Sequence, residues 1–211
     1  AASRLIADTT PPQRLKTDDV WRRARLAVEA NRPRAAQQAV TMVAPEAVQQ
    51  FNDISASPAR FLTNKVAAFR KVRQEMISLA LIKLAASDID NAARLLDDKW
   101  GPQLSAEERD WVWGVIGKQA AQRLSTDALA YYGHVSRDAN LTDDMLAWKA
   151  RAALRTPQSP QWPTVLQTIN AMSDEARADS TWVYWKARAL LARGGDERKA
   201  EATRLLQSIA S

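Results

Sequence analysis

The 211-residue chain is 46% hydrophobic and 26% charged with only six glycines, a balance that excludes disordered and fibrous classes and suffices to bury a core. It has no cysteine and one histidine, His134, which excludes disulfides, thiolate metal sites, cysteine nucleophiles and multi-histidine metal centres. The net charge of +6 is uneven: residues 1–73 hold 13 Lys and Arg against 6 Asp and Glu, and the remainder is close to neutral.

The Ala-Ala-Ser start, with no initiator Met and no apolar leader, reads as a processed or trimmed piece. Residues 1–17 are expected to form a poorly ordered lead or a truncated helix. Asp18-Asp19 then precede VWRRARLAVEA, Pro33 precedes RAAQQAVTMV, and Pro45 opens EAVQQFNDI, each placing acids or proline where a helix begins. After Ser57-Pro58 a longer helix is predicted through KVAAFRKVRQEMISLALIKLAA. Residues 18–73 thus form less regular helices. Their basic clusters, Arg22, Arg23, Arg25 and Arg32-Pro33-Arg34, are either a solvated helix surface or a face that attracts a polyanion.

From residue 74 the punctuation is regular. Turns at Ser87-Asp88, Ser125-Thr126-Asp127, PQSPQ from Pro157 and Gly194-Gly195-Asp196 each precede a predicted helix of about ten residues. LSAEE from Leu104, LTDDM from Leu141 and MSDEA from Met172 mark a second set of helix starts, where a hydroxyl caps and acids complement the helix dipole. Ser105 and Glu108 have capping-box spacing.

Trp111, Trp148 and Trp185 recur every 37 residues, the last two inside an identical WKARA, and Met145 and Trp182 stand three residues before those two. At helical spacing Met145, Trp148 and Ala152 share a face, as do Trp182, Trp185 and Ala189. These are read as packing residues, with Ala150 and Ala187 small enough to let helices approach. Strand signals are nearly absent. The predicted fold is all-α, an α-solenoid of stacked antiparallel helix pairs of tetratricopeptide type, with about three pairs in residues 74–211.

Motifs for phosphate, dinucleotide, serine-hydrolase and zinc-protease chemistry are missing. Asp18, Asp19, Glu107, Glu108, Asp143 and Asp144 sit at helix starts and read as caps rather than catalytic acids. His134 reads as closing a short helix, Tyr131 and Tyr132 as packing residues, and Trp162 as a helix-start anchor. No catalytic, cofactor-binding or metal-binding residue is predicted. The arginines lack the interleaved aromatics of a nucleic-acid surface. Arg22, Arg23, Arg32 and Arg34 remain candidate contacts for a polyanion or glycan.

LALIKLAASDIDNAARLL, LSAEERDWVWGVIGKQAA, LTDDMLAWKARAAL and WVYWKARALLARGGDERKAEATRLLQSIA together resemble the superhelical region of the soluble lytic murein transglycosylases of Gram-negative bacteria. The resemblance spans roughly residues 18–210. It implies a periplasmic setting and an enzyme that cleaves the β-1,4 bond between N-acetylmuramic acid and N-acetylglucosamine in peptidoglycan, leaving a 1,6-anhydro end; the chain is expected to be a monomer. In that family the catalytic glutamate lies in an ES motif followed by GLMQ, in a C-terminal domain. Neither motif occurs in this sequence, so no catalytic residue carries over, and the chain alone is expected not to be an enzyme. Glycan strands, and other cell-wall enzymes, are the partners so implied; no nucleic acid, membrane span or cofactor is expected. The alternative is a free-standing tetratricopeptide-like module that binds a protein or peptide.

Overall fold

A computed structural model describes residues 16–66 and 68–210. Among them the chain is all-α, with thirteen α-helices and no strand. Most of the expected lead, residues 1–15, lies outside the described residues.

Helix α1 (Thr17–Glu29) carries Asp18 and Asp19 in its first turn, where carboxylates meet the positive end of the helix dipole. Helix α2 (Pro33–Val43) starts on its proline, and Pro45 opens a short 3-10 turn that runs into α3 (Val48–Ala56). Ser57 caps α4 (Pro58–Thr63). The predicted long helix from Lys65 is shorter than expected. Lys65 and Val66 are non-helical, and α5 (Arg70–Ala85) begins only after Phe69, whose backbone is extended. The apolar run that follows explains why α5 is the central element: Met76 to Ile82 are all buried.

Helix α6 (Ile89–Leu95) passes through a π turn at Leu96–Trp100 and a 3-10 turn at Gly101–Gln103 before α7 (Ala106–Gln122). The Ser105–Glu108 capping box forms in both directions. Helix α8 (Ala128–Tyr132) has only five residues, and α9 (Asp143–Leu154) is capped by Thr142. Helix α10 (Trp162–Ala171) follows. The helix expected from Ser173 is broken: α11 (Asp174–Ala178) stops at Asp179, whose extended backbone and carboxylate cap a new helix, α12 (Ser180–Arg193). Gly194 and Gly195, both at positive φ, turn the chain into α13 (Asp196–Ala210).

Helix α1 packs on α2 and α5, and α3 and α4 also lie on α5. Thereafter α5 contacts α6 and α7, α7 contacts α8 and α9, α9 contacts α10, α10 contacts α12, and α12 pairs with α13. Close approach to α7 requires glycine. A Cβ on Gly117 would stand 2.8 to 2.9 Å from three Tyr132 ring atoms, and one on Gly114 would meet Leu141 and Met145 at 2.6 and 2.7 Å. Tyr132 cannot retreat freely, because its hydroxyl donates to the Met145 carbonyl at 2.7 Å.

Helices α1 and α7 end alike. Asn31 and Leu124 adopt left-handed backbone, and each helix closes with a paired set of carbonyl contacts: Asn31 N–H to Val28 and Arg32 N–H to Ala27, Leu124 N–H to Ala121 and Ser125 N–H to Ala120. Leucine is a poor residue there, since its Cβ crowds the carbonyl. Because Leu124 is largely exposed, Leu124→Gly loses little packing and should stabilise the chain by about 0.5–1 kcal/mol, read as a raised urea midpoint with unchanged slope.

Candidate functional site

Two of the four candidate arginines meet in one cavity of about 660 Å³ between α1, α2, α7 and α9. Arg23 and Arg32 line it, with the apolar surface of Leu26, Ala27 and Ala30 beneath. Lys118 enters from α7, donates to Glu29 Oε1 at 2.7 Å and pairs with Asp144. Burial pulls the Lys118 pKa down, but hydrogen bonds and charge from Asp144 and Glu29 outweigh it and hold the pKa above the ordinary lysine value. The three cations face three carboxylates, Glu29, Asp143 and Asp144. The cavity is therefore charge-balanced. It offers directional donors and acceptors over an apolar floor, the combination that suits a polar ligand with apolar faces, rather than a net pull on a polyanion.

The other two arginines stand apart. Arg22 is exposed and lies 3.7 Å from Glu107, and Arg34 is exposed on the first turn of α2 and does not line the cavity. Arg25, between them in sequence, is buried and structural. It donates to both Glu75 oxygens at 2.7 and 2.9 Å and to both Glu107 oxygens at 2.9 and 3.2 Å, with Trp111 5.1 Å from its guanidinium. Lys71 bonds Glu75 and Glu108, each at 3.1 Å. An acid/base carboxyl must be free to face a reacting oxygen. Glu75, Glu107 and Glu108 are each engaged by Arg25 or Lys71, so this cluster ties α1, α5 and α7 together. Sequence reading missed Glu75 as part of it, because partners 50 residues apart leave no local signal.

Asp110 was equally silent. Fully buried in α7, it accepts from Ser136 N–H, Ser136 Oγ, Arg137 N–H and Asn140 Nδ2 at 2.7 to 3.1 Å, which fixes the loop after α8. His134 differs from expectation: its ring stacks on Trp113 with centroids 4.0 Å apart. Tyr131 and Tyr132 are packing residues as read. Burial and a hydrogen bond to Asp90 push the Tyr131 phenol up to about 12. Trp162 is half-buried against the core at the first residue of α10.

The WKARA face also differs in detail. Met145, Ala150 and Ala152 are buried, as are Trp182, Ala187 and Ala189, and Trp111 is 5% exposed. Trp148 and Trp185, however, are only half-buried. Lys149 takes the inner place on α9 because Asp138, 2.7 Å away, neutralises it.

No protein-family model and no curated protein sequence matches the chain. Its structure is similar to the X-ray structure of an inactive mutant of the lytic transglycosylase Slt from Pseudomonas aeruginosa, with a TM-score of 0.56 and 23% identity over 89% of this chain. The likeness is one of fold. The chain spans about a third of that structure's length, 31%. The expectation that the chain is no enzyme is not upheld: 89% of the chain shares the fold of part of an enzyme's polypeptide. That expectation rested on the absence of ES and GLMQ, which excludes one family's catalytic motif and no other chemistry. Among the described residues no helix is long and apolar enough to cross a membrane, and no cluster of candidate metal ligands forms.

Proposed function

We propose that this chain is the helical, glycan-holding region of a periplasmic peptidoglycan lytic transglycosylase. Cleavage between N-acetylmuramic acid and N-acetylglucosamine, with its 1,6-anhydro product, is then the work of the whole enzyme. The observation that carries this reading is the fold likeness to a lytic transglycosylase over 89% of the chain. Supporting it, α5, α7 and α9 each contact the next, as stacked helix pairs of a solenoid do. The cavity of Arg23 and Arg32 suits a glycan, a polar polymer whose sugar rings have apolar faces.

The chain is expected to cosediment with purified peptidoglycan sacculi, and the double variant Arg23→Ala/Arg32→Ala to bind about tenfold more weakly, the size of one or two lost charge-assisted hydrogen bonds. Absence of cosedimentation, or unchanged binding by the double variant, would remove the glycan-holding role from this cavity.

A further inference from the structure

A second cavity, of about 650 Å³, lies where the loop after α4, the first turns of α5 and the π turn after α6 converge. Lys65, Arg73 and Lys99 line it, and among the described residues no carboxylate does. None of the three enters an ion pair among the described residues. This sets it apart from the Arg23 cavity, where cations and carboxylates balance. Lys99 Nζ donates to the Leu62 and Thr63 carbonyls at 2.9 and 3.4 Å and stands 4.4 Å from the centroid of the Trp100 ring. Neutral carbonyls and a ring orient an ammonium but leave its charge in place.

Two buried N–H groups on the lining side chains have no hydrogen-bond partner among the described residues: Nε of Arg73 and Nε1 of Trp100. Trp100 is 2% exposed, and its backbone is fixed by the π turn. A buried donor without an acceptor is unfavourable, and these two stand on side chains of one cavity. The other Arg73 bond, from Nη2 to Gln103 Oε1, holds the guanidinium in place, and Gln74 in turn holds Gln103 through its carbonyl at 2.9 Å.

Three uncompensated cations and two unpaired donors ask for an anionic acceptor. Val66 places an apolar side chain beside them in the lining. We infer that this cavity is a binding site for an organic carboxylate, such as the acidic residue or C-terminus of a short peptide. The site would take a carboxylate whether or not the Arg23 cavity holds glycan.

The test is a titration of the folded chain with an acetylated alanyl-glutamate dipeptide, followed by proton–nitrogen correlation spectra. The eight tryptophans give eight indole signals, and the one missing in Trp100→Phe identifies Trp100. Saturable shifts of the Trp100 indole and Arg73 Nε signals are expected, weakening as salt rises, and absent with the dipeptide diamide. Lys65→Ala, on an exposed loop that leaves the core untouched, should weaken binding about tenfold. If neither signal moves, if the diamide moves both equally, or if Lys65→Ala binds unchanged, the site is overturned. If inorganic phosphate moves both as strongly as the dipeptide, the cavity takes a bare oxyanion and the carboxylate assignment falls. None of these outcomes depends on sacculi.

Discussion

Arg25→Met should destabilise the chain by about 3–5 kcal/mol, far more than an arginine in a basic cluster would suggest. Arg25 is 1% exposed, and its guanidinium closes two bidentate pairs on carboxylates from α5 and α7. Methionine replaces the stem but strands Glu75, which is fully buried and would keep only Lys71 at 3.1 Å. Glu107 is 31% exposed in its side chain and can turn to water, so the loss centres on Glu75. The control follows from that asymmetry. Arg25→Met combined with Glu75→Leu removes the stranded charge together with the guanidinium and should recover most of the stability, because a buried ion pair and an apolar pair of similar volume differ little. Urea unfolding of the wild type, both single variants and the double variant gives the coupling energy directly. A single-variant loss below about 1 kcal/mol would mean that α1 is held by its apolar face alone.

That network shows where the sequence was legible and where it was not. Helix starts could be read because caps are local. Ser105–Glu108, Thr142 and Pro33 each act within four residues, and each element began where its cap stood. The interruption at Asp179 escaped notice because an acid inside an apparently continuous helix reads as surface until its backbone turns extended. The expected helical start at Lys65 also failed: the sequence there holds no proline or glycine to mark a stop, yet Lys65 and Val66 are non-helical. Charge was the least legible layer. Arg25 belongs to the same run as Arg22 and Arg23, and only the arrival of Glu75 and Glu107 from distant helices separates a buried staple from two exposed side chains. In the same way Lys65, Arg73 and Lys99 form no cluster in sequence and share a cavity only through the loop after α4 and the π turn.

Trp111→Ala should cost about 3–5 kcal/mol, and Trp148→Ala and Trp185→Ala about 1–2 kcal/mol each, although all three occupy the same place in a 37-residue period. The period repeats the sequence but not the surroundings. Trp111 sits on α7, which has α5 on one side and α9 on the other, and the Arg25 guanidinium covers its ring. Its truncation would leave a cavity that these fixed neighbours cannot fill and would also bare the guanidinium. Trp148 lies over the small side chains of Ala120, Ala121, Ala128 and Ala152 with one face toward Arg151, whose guanidinium stands 4.9 Å from it and 5.3 Å from the Trp182 ring. Such a surface contact contributes about 0.5–1 kcal/mol and can relax when one ring is lost. Trp185 meets Tyr184 edge-on at 5.2 Å, and α12 has α10, α11 and α13 as its principal neighbours. Buried Trp182, three residues earlier, takes the inner position there. Urea melts of the three alanine variants test the order. Equal losses would mean that sequence period alone sets burial, and a loss at Trp148 or Trp185 as large as at Trp111 would place those rings inside the core rather than at its edge.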